Sequence, residues 1–177
     1  MKDQNGFTVW FTGLPCCGKT TIAKKVYEIL TKKGYKVKHL DGDLVRKDLT
    51  ADLGFSKKDR DENIRRVSNL AKDLTKNDII VLATFVSPYR QRREKTRKEI
   101  GNYFEIYVKC PVEICIKRDV KGMYKKALSG EIKNFTGVDD PYEEPKNPEL
   151  IIESDKETVD KSVEKVLKKL KELGCIQ

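Results

Sequence analysis

The sequence contains no long hydrophobic run. None of its apolar stretches approaches the roughly 18 residues that a membrane-spanning helix needs. The first residues, MKDQNGFTVWF, lead directly into an apolar segment, without the apolar core and small-residue cleavage site of a signal peptide. The sequence therefore predicts a cytoplasmic protein that has no membrane partner.

Metal-ligating side chains are also scarce. The 177 residues include one histidine, His39, and five cysteines, none of them in a CxxC pair. A structural zinc site takes about four such ligands at close spacing, so none is expected. Disulfides are not expected from an odd number of cysteines in a cytoplasmic chain. We interpret His39, Cys110 and Cys115 as packed or hydrogen-bonded structural residues.

Acidic residues are outnumbered, 28 against 37 lysines and arginines, which leaves a formal charge of +9. Such an excess is compatible with a nucleic-acid binder, with a lysine-rich solvated surface, or with a pocket for small polyanions. Many lysines alternate with glutamate along helical segments such as KKVYEILTKK, which favours a solvated surface for those lysines. The charge alone does not decide among the three.

Apolar runs alternate with helical patterns along the chain, as in βαβ units. The length favours a single domain over residues 1–177. Strands are predicted at 7–12, 35–40, 78–86, 103–108 and 149–152. Helices are predicted at 18–33, 59–76 and 89–100, and from Val159 to Leu173. A further short helix is predicted to open with Pro111 in its first turn. We therefore expect a three-layer α/β fold with a five-stranded parallel sheet and helices on both faces.

Residues 119–148 interrupt this rhythm, since they are first basic and then rich in Gly, Pro and Asp. A connection this long without a strand of its own is typically a functional segment, and we expect a lid here.

The stretch GLPCCGKTT matches the phosphate-loop pattern G-x-x-x-x-G-K-[ST] and lies between a predicted strand and a predicted helix. Loop N–H groups and the helix N-terminus suit phosphate oxygens, Lys19 suits the β- and γ-phosphates, and the Thr20 hydroxyl suits Mg²⁺. The motif predicts binding of a nucleoside triphosphate, most often ATP. It does not separate a kinase from a GTPase switch or a motor. The base-reading NKxD signature of a GTPase is absent, however.

Two carboxylates in LDGDLVR, Asp41 and Asp43, follow the second predicted strand. The carboxyl ends of parallel strands meet at one edge, so both should lie near the phosphate loop. One can organise Mg²⁺ and the other can orient or accept the proton of an acceptor hydroxyl. Further on, Arg60 and Asn63 share a helix face close to Phe55, a set suited to a nucleotide with an anionic tail.

Six blocks occur in the order GLPCCGKTT, LDGDLVRKDL, LGFSKKDRDENIRRV, FVSPYR, RDVKGMYKKA and FTGVDDPYE. In these blocks the chain resembles the adenylylsulfate kinases, P-loop kinases that phosphorylate the 3′-hydroxyl of adenosine 5′-phosphosulfate. The resemblance implies ATP and adenosine 5′-phosphosulfate as substrates, Mg²⁺ as cofactor, a role in sulfate activation and a homodimer. It implies no nucleic-acid partner, and no fused sulfurylase domain is expected.

Carried over by position, the resemblance implies roles for particular residues. Contacts to ATP are expected from Gly13, Leu14, Pro15, Cys16, Cys17, Gly18, Lys19, Thr20, Thr21, Arg118 and Glu157. Contacts to the phosphosulfate substrate are expected from Asp43, Arg46, Phe55, Arg60, Asn63, Val86, Ser87, Lys121, Asn134 and Phe135. The base would lie between Phe55 and Phe135. Catalytic roles are expected for Lys19, Asp41, Ser87 and Lys121, and metal binding for Thr20 and Asp41.

Two details stay open at this level. Ser87 should face the pocket, where hydrogen bonding to the acceptor is favoured over a phosphoserine intermediate, because in-line transfer needs no covalent step. Cys16 and Cys17 occupy variable loop positions and are interpreted as small fillers, with oxidation that blocks ATP binding as a hypothesis. A different small-molecule kinase and a nucleic-acid-binding or regulatory nucleotide switch remain as alternatives.

Overall fold

A computed structural model describes residues 4–177 of the chain. Its sheet has five parallel strands in the order β2-β3-β1-β4-β5. The strands are β1 Phe7–Thr12, β2 Val37–Asp41, β3 Ile80–Thr84, β4 Tyr103–Lys109 and β5 Leu150–Glu153. The predicted α/β class and the five-stranded parallel sheet are confirmed.

Seven helices are present in this described part of the chain. They are α1 Lys19–Lys32, α2 Gly42–Asp48, α3 Lys57–Lys76, α4 Arg90–Ile100, α5 Val112–Arg118, α6 Met123–Leu128 and α7 Val159–Glu172. Residues 4–177 include no helix with both the length and the apolar character to cross a membrane.

Side chains of the central strands alternate between two cores, one on each face of the sheet. Phe7, Val9 and Phe11 of β1 face a cluster that includes residues of α1 and α7. Trp10, between them in sequence, faces the other cluster, which includes residues of α3. Helices therefore cover both faces, as expected for a parallel sheet buried on both sides.

The structure corrects several element boundaries. The run 78–86 was expected to be a strand throughout, but β3 covers only Ile80–Thr84. Phe85 remains buried because its ring stacks on Trp10, at 5.4 Å between ring centroids. Pro111 is the N-cap of α5 and not a residue of its first turn. The predictions missed α2 and α6, and α6 lies inside the segment 119–148 in which we expected a lid.

Candidate active site

The phosphate loop joins the end of β1 to the start of α1, at the carboxyl edge of the sheet. Position 13 requires glycine because the neighbouring strand β4 approaches closely: a Cβ there would lie 2.4 Å from the Val108 carbonyl oxygen. Lys19 is largely buried, and its ammonium donates to the carbonyls of Gly13, at 2.9 Å, and Leu14, at 2.7 Å. The lysine thus folds back over its own loop, where a phosphate bound by the loop would meet it.

Asp41 closes β2 and caps α2, and both of its oxygens accept hydrogen bonds. Oδ2 accepts from the hydroxyls of Thr20, at 2.8 Å, and Thr84, at 3.1 Å, while Oδ1 accepts from the backbone N–H of Asp43, at 3.0 Å. Burial acts to raise the pKa of Asp41, but these hydrogen bonds outweigh it and hold the pKa below its usual value. The carboxylate therefore stays ionised beside the Thr20 hydroxyl.

The Thr20–Asp41 contact offers the oxygen ligands that Mg²⁺ prefers. Within residues 4–177 no group of three or more His, Cys, Asp or Glu side chains could hold a metal ion. Mg²⁺ does not need such a group, because it is usually held by one or two carboxylates together with substrate phosphates and water. The residues present therefore fit Mg²⁺ and offer no zinc-type cage.

His39 lies next to this cluster, where its Nε2 is 3.1 Å from the Thr84 hydroxyl. Burial lowers the pKa of His39, although the charge of Asp41 acts in the opposite direction. The interpretation of His39 as a hydrogen-bonded structural residue is confirmed.

Across the cleft, α2 and the following loop carry charged and aromatic groups. Asp43 forms an ion pair with Lys121, and both side chains are mostly exposed. The Arg46 guanidinium lies over the ring of Phe55, 4.3 Å from its centroid. Phe55 is half exposed, so part of its ring remains open to solvent.

Arg60 connects α3 to the loop at 134–140. One of its terminal nitrogens donates to the Thr136 hydroxyl, at 2.6 Å, and to the Asp140 carboxylate, at 2.9 Å. The other donates to the Asn134 carbonyl. Arg60 and Asp140 are only 12% and 18% exposed, and the Tyr89 hydroxyl also donates to Asp140 at 3.0 Å. The loop that carries Phe135 is therefore fastened to two other parts of the cleft.

Ser87 was expected to face the pocket and contact the acceptor; in this structure its hydroxyl is engaged by framework residues, and the acceptor contact stays a prediction. Its hydroxyl is buried, accepts from the indole N–H of Trp10 at 3.0 Å and donates to Thr12 Oγ1 at 3.1 Å. Its backbone is left-handed, with φ of 40°. Its neighbour Val86 accepts through its carbonyl from the Thr12 hydroxyl at 2.8 Å. In this structure the serine therefore links β1 to the segment that follows β3.

The remaining residues of the prediction are more peripheral. Arg118 lies against the phosphate loop, where one terminal nitrogen donates to the Cys17 carbonyl at 3.4 Å, and the other donates to the Ser154 carbonyl at 3.0 Å. Glu157 is directed into α7, where it accepts from Ser162 at 2.9 Å and pairs with Lys165. Asn63 is half-buried on α3, and Thr21 is exposed on α1.

Sequence reasoning missed several residues that shape the site. Tyr124 donates to the Pro15 carbonyl at 3.0 Å, and Tyr142 is within hydrogen-bond distance of Thr12, at 2.8 Å. Tyr124 lies in the block RDVKGMYKKA and Tyr142 lies in FTGVDDPYE. The sequence therefore marked both segments as distinctive but gave neither tyrosine a role. Asp140, in the block FTGVDDPYE, forms an ion pair with Arg60.

The chain is similar in sequence to known proteins. A family model described as adenylylsulphate kinase matches residues 5–153. The adenylyl-sulfate kinase of Halothermothrix orenii is 58% identical over 99% of this chain and 95% of its own length. That of a Picosynechococcus species is 54% identical, over 98% of each chain.

Solved structures show the same relationship. The Mycobacterium tuberculosis APS kinase CysC, in complex with AMPPNP and APS, superposes with a TM-score of 0.90 at 42% identity, covering 96% of this chain and 99% of that chain. A gluconokinase from Sinorhizobium meliloti superposes with a TM-score of 0.64 at 14% identity, covering 97% and 95%. The second likeness concerns the fold alone.

Proposed function

The chain belongs to the adenylylsulphate kinase family, and from this premise we propose that it transfers the γ-phosphoryl group of ATP to the 3′-hydroxyl of adenosine 5′-phosphosulfate. The products are ADP and 3′-phosphoadenosine 5′-phosphosulfate. The observation that carries the proposal is the pairing of a phosphate loop with a second cationic and aromatic half-site at the same sheet edge. A 42% identical relative holds AMPPNP and APS together, which supports two nucleotide half-sites.

The donor half-site is the phosphate loop with Lys19. The loop N–H groups would hold the β-phosphate, and the Lys19 ammonium would leave the carbonyls of Gly13 and Leu14 for the β- and γ-phosphate oxygens. A lysine already held at the loop needs little reorganisation, which is how a site stabilises charge that spreads during transfer. Arg118, outside the loop, is proposed to border the adenine.

Mg²⁺ would be held by the Thr20 hydroxyl and Asp41, and when bound it would neutralise charge on the phosphates of ATP. The lowered pKa of Asp41 suits a metal ligand better than a proton acceptor. A strong base is not required, because phosphoryl transfer proceeds mainly by positioning and electrostatic stabilisation. We therefore assign Asp41 to metal organisation.

The acceptor half-site would place the adenine of the phosphosulfate between Phe55 and Phe135. Arg46 and Arg60 would reach the phosphosulfate, since guanidinium groups match the geometry of such anions. Lys121 would exchange its ion pair with Asp43 for the transferring phosphoryl group. Asn63, Val86 and Asn134 are proposed to line the same space.

We further propose that the chain forms a single kinase domain with a lid over about residues 119–148. Asp140 and Tyr142 attach this segment to the rest of the domain, through Arg60 of α3 and Thr12 of β1. These contacts support a lid that excludes water from the transfer when it closes. A homodimer, a cytoplasmic location and the absence of nucleic-acid binding stay predictions. A solved relative from Thiobacillus denitrificans is described as hexameric, so light scattering on this protein is needed.

The proposal is tested by ADP release coupled to a spectrophotometric readout. ADP should appear only when Mg²⁺, ATP and adenosine 5′-phosphosulfate are all present. Lys19→Ala should abolish turnover, while Lys32→Ala, an exposed change at the other end of α1, should leave it unchanged. Turnover only with gluconate, shikimate or a nucleoside monophosphate would contradict the proposal, as would full activity of Lys19→Ala.

A further inference from the structure

The outer side of the phosphate loop is held by two hydroxyl groups from distant parts of the chain. The Tyr124 hydroxyl, in α6, donates to the Pro15 carbonyl at 3.0 Å. The Ser154 hydroxyl, directly after β5, donates to the Cys17 carbonyl at 2.6 Å. These donors are 109 and 137 residues away from their acceptors, so the contacts depend on the folded structure.

Peptide geometry turns these outer contacts into a statement about the inner side of the loop. A trans peptide is planar, with its C=O and the following N–H pointing in opposite directions. The described chain contains no cis peptide bond. Tyr124 is fully buried, so the Pro15 carbonyl points into the protein and the Cys16 N–H points away from it. By the same reasoning, the Ser154 contact sets the direction of the Gly18 N–H.

The loop needs such support because its backbone is strained. Cys16 has a φ of 63°, in the left-handed region that costs a non-glycine residue about 1–2 kcal/mol. An alternation of right- and left-handed residues is how successive N–H groups are made to converge on an anion. Without outer donors, the peptides on either side of Cys16 could rotate to relieve the strain, and their N–H groups would lose their common direction.

We propose that Tyr124 and Ser154 are positioning residues that aim the N–H groups of Cys16 and Gly18 at the nucleotide phosphates. The inference rests on the proposed function, because it assigns a phosphate-binding role to the loop. In this arrangement each hydroxyl would act through one peptide group of the loop, without touching the nucleotide itself. The two hydroxyls act on different peptides and come from different elements, so their effects should be separable.

The test measures binding of ADP and of adenosine 5′-phosphosulfate separately by titration calorimetry. Tyr124→Phe removes only the hydroxyl and keeps the ring, whose edge contact with Phe135 has centroids 5.0 Å apart. We expect its Kd for ADP to rise about fivefold, as for the loss of one neutral hydrogen bond. The Kd for the acceptor should stay unchanged. Ser154→Ala should behave likewise, and the double variant should show about the product of the two effects.

A matched control is Tyr27→Phe, on the exposed side of α1, which should leave both dissociation constants unchanged. NMR supplies a readout that a purely structural role would not move. ADP should shift the amide protons of Cys16 and Gly18 downfield in the wild type. The shift should shrink at Cys16 in Tyr124→Phe and at Gly18 in Ser154→Ala.

The proposal is overturned if Tyr124→Phe binds ADP as the wild type does, or if both ligands weaken equally together with a loss of thermal stability. A wild type that binds ADP but phosphorylates a different acceptor refutes the acceptor assignment and leaves this test intact, with that acceptor as the second ligand. A wild type that binds no nucleotide refutes both proposals.

Discussion

Replacing Ser87 by alanine separates a structural serine from a reacting one. The Ser87 hydroxyl accepts from the Trp10 indole N–H and donates to Thr12, and none of these partners can act as a base. A serine nucleophile needs an adjacent base, so this hydroxyl is not prepared for attack on ATP. We expect Ser87→Ala to lose stability and to keep most of its turnover.

The size of the stability loss follows from burial. Trp10 is fully buried, so without Ser87 its N–H has no acceptor. A buried donor left without a partner costs about 1–3 kcal/mol. In a domain of this size, each kcal/mol lowers Tm by roughly 2–4 °C, so the expected fall is about 2–12 °C. The positive φ of residue 87 does not alter this difference, because alanine would be strained there as much as serine is.

Calorimetry gives Tm, and the coupled ADP assay gives turnover. Ser68→Ala is a matched control, since Ser68 is also buried and its hydroxyl contacts the Ile64 carbonyl, at 2.6 Å, and Thr96, at 2.7 Å. Both variants should lose stability without a large loss of turnover. Removing a reacting serine has cost about a millionfold in a serine protease. A comparable loss in a folded Ser87→Ala, or a phosphoserine that forms and decays at the rate of turnover, would refute the reasoning.

Two further predictions concern acid stability and thiol reactivity. Hydrogen bonds hold the pKa of Asp41 below the ordinary aspartate value of 3.8, against the opposing effect of burial. The stabilising contribution of its charge is therefore present above pH 3.8 and is lost as the pH falls through the lowered pKa. Tm measured from pH 6 to pH 3 should therefore fall more steeply in the wild type than in Asp41→Asn; parallel curves would contradict this. A thiol reagent at pH 8 should label Cys16 and Cys175 in the folded protein, while Cys17, Cys110 and Cys115 react only after unfolding, because these three are buried. Burial also raises the pKa of Cys115 to about 12, so rapid labelling of Cys115 in the folded protein, located by peptide mass analysis, would contradict the packing described.

The sheet was predictable because its signal is local. Each strand is a short apolar run, and burial on both faces allows near-continuous hydrophobicity. The same property explains the wrong end of β3, since Phe85 is buried by stacking on Trp10 while lying outside the strand. Hydrophobicity reports burial, and burial extends past the last paired residue. The short helix α2 was missed for a related reason: its seven residues bury only Val45, which leaves no periodic pattern to detect.

In the candidate site, too, local features were predictable from the sequence and long-range contacts were not. The phosphate loop is a contiguous motif, so its placement between β1 and α1 followed from the sequence. The direction of Ser87 did not, because it is set by Trp10, 77 residues away, and the partner of Arg60 is 80 residues away. One sequence without related sequences carries no trace of such long-range pairs, although their motifs can be marked as unusual.

The two cysteines of GLPCCGKTT can now be understood from what holds the loop. The contacts to Pro15 and Cys17 from Tyr124 and Ser154 reach backbone carbonyls, and a carbonyl is the same whichever side chain stands beside it. Cys17 is fully buried, and a Cβ at Gly13 would lie 2.8 Å from its sulfur, so the position favours a small side chain. An oxidant would reach that sulfur only if the loop opened, and opening would first break the contacts that support phosphate binding. Any redox effect on ATP binding would therefore have to begin at Cys16, the half-buried thiol of the loop.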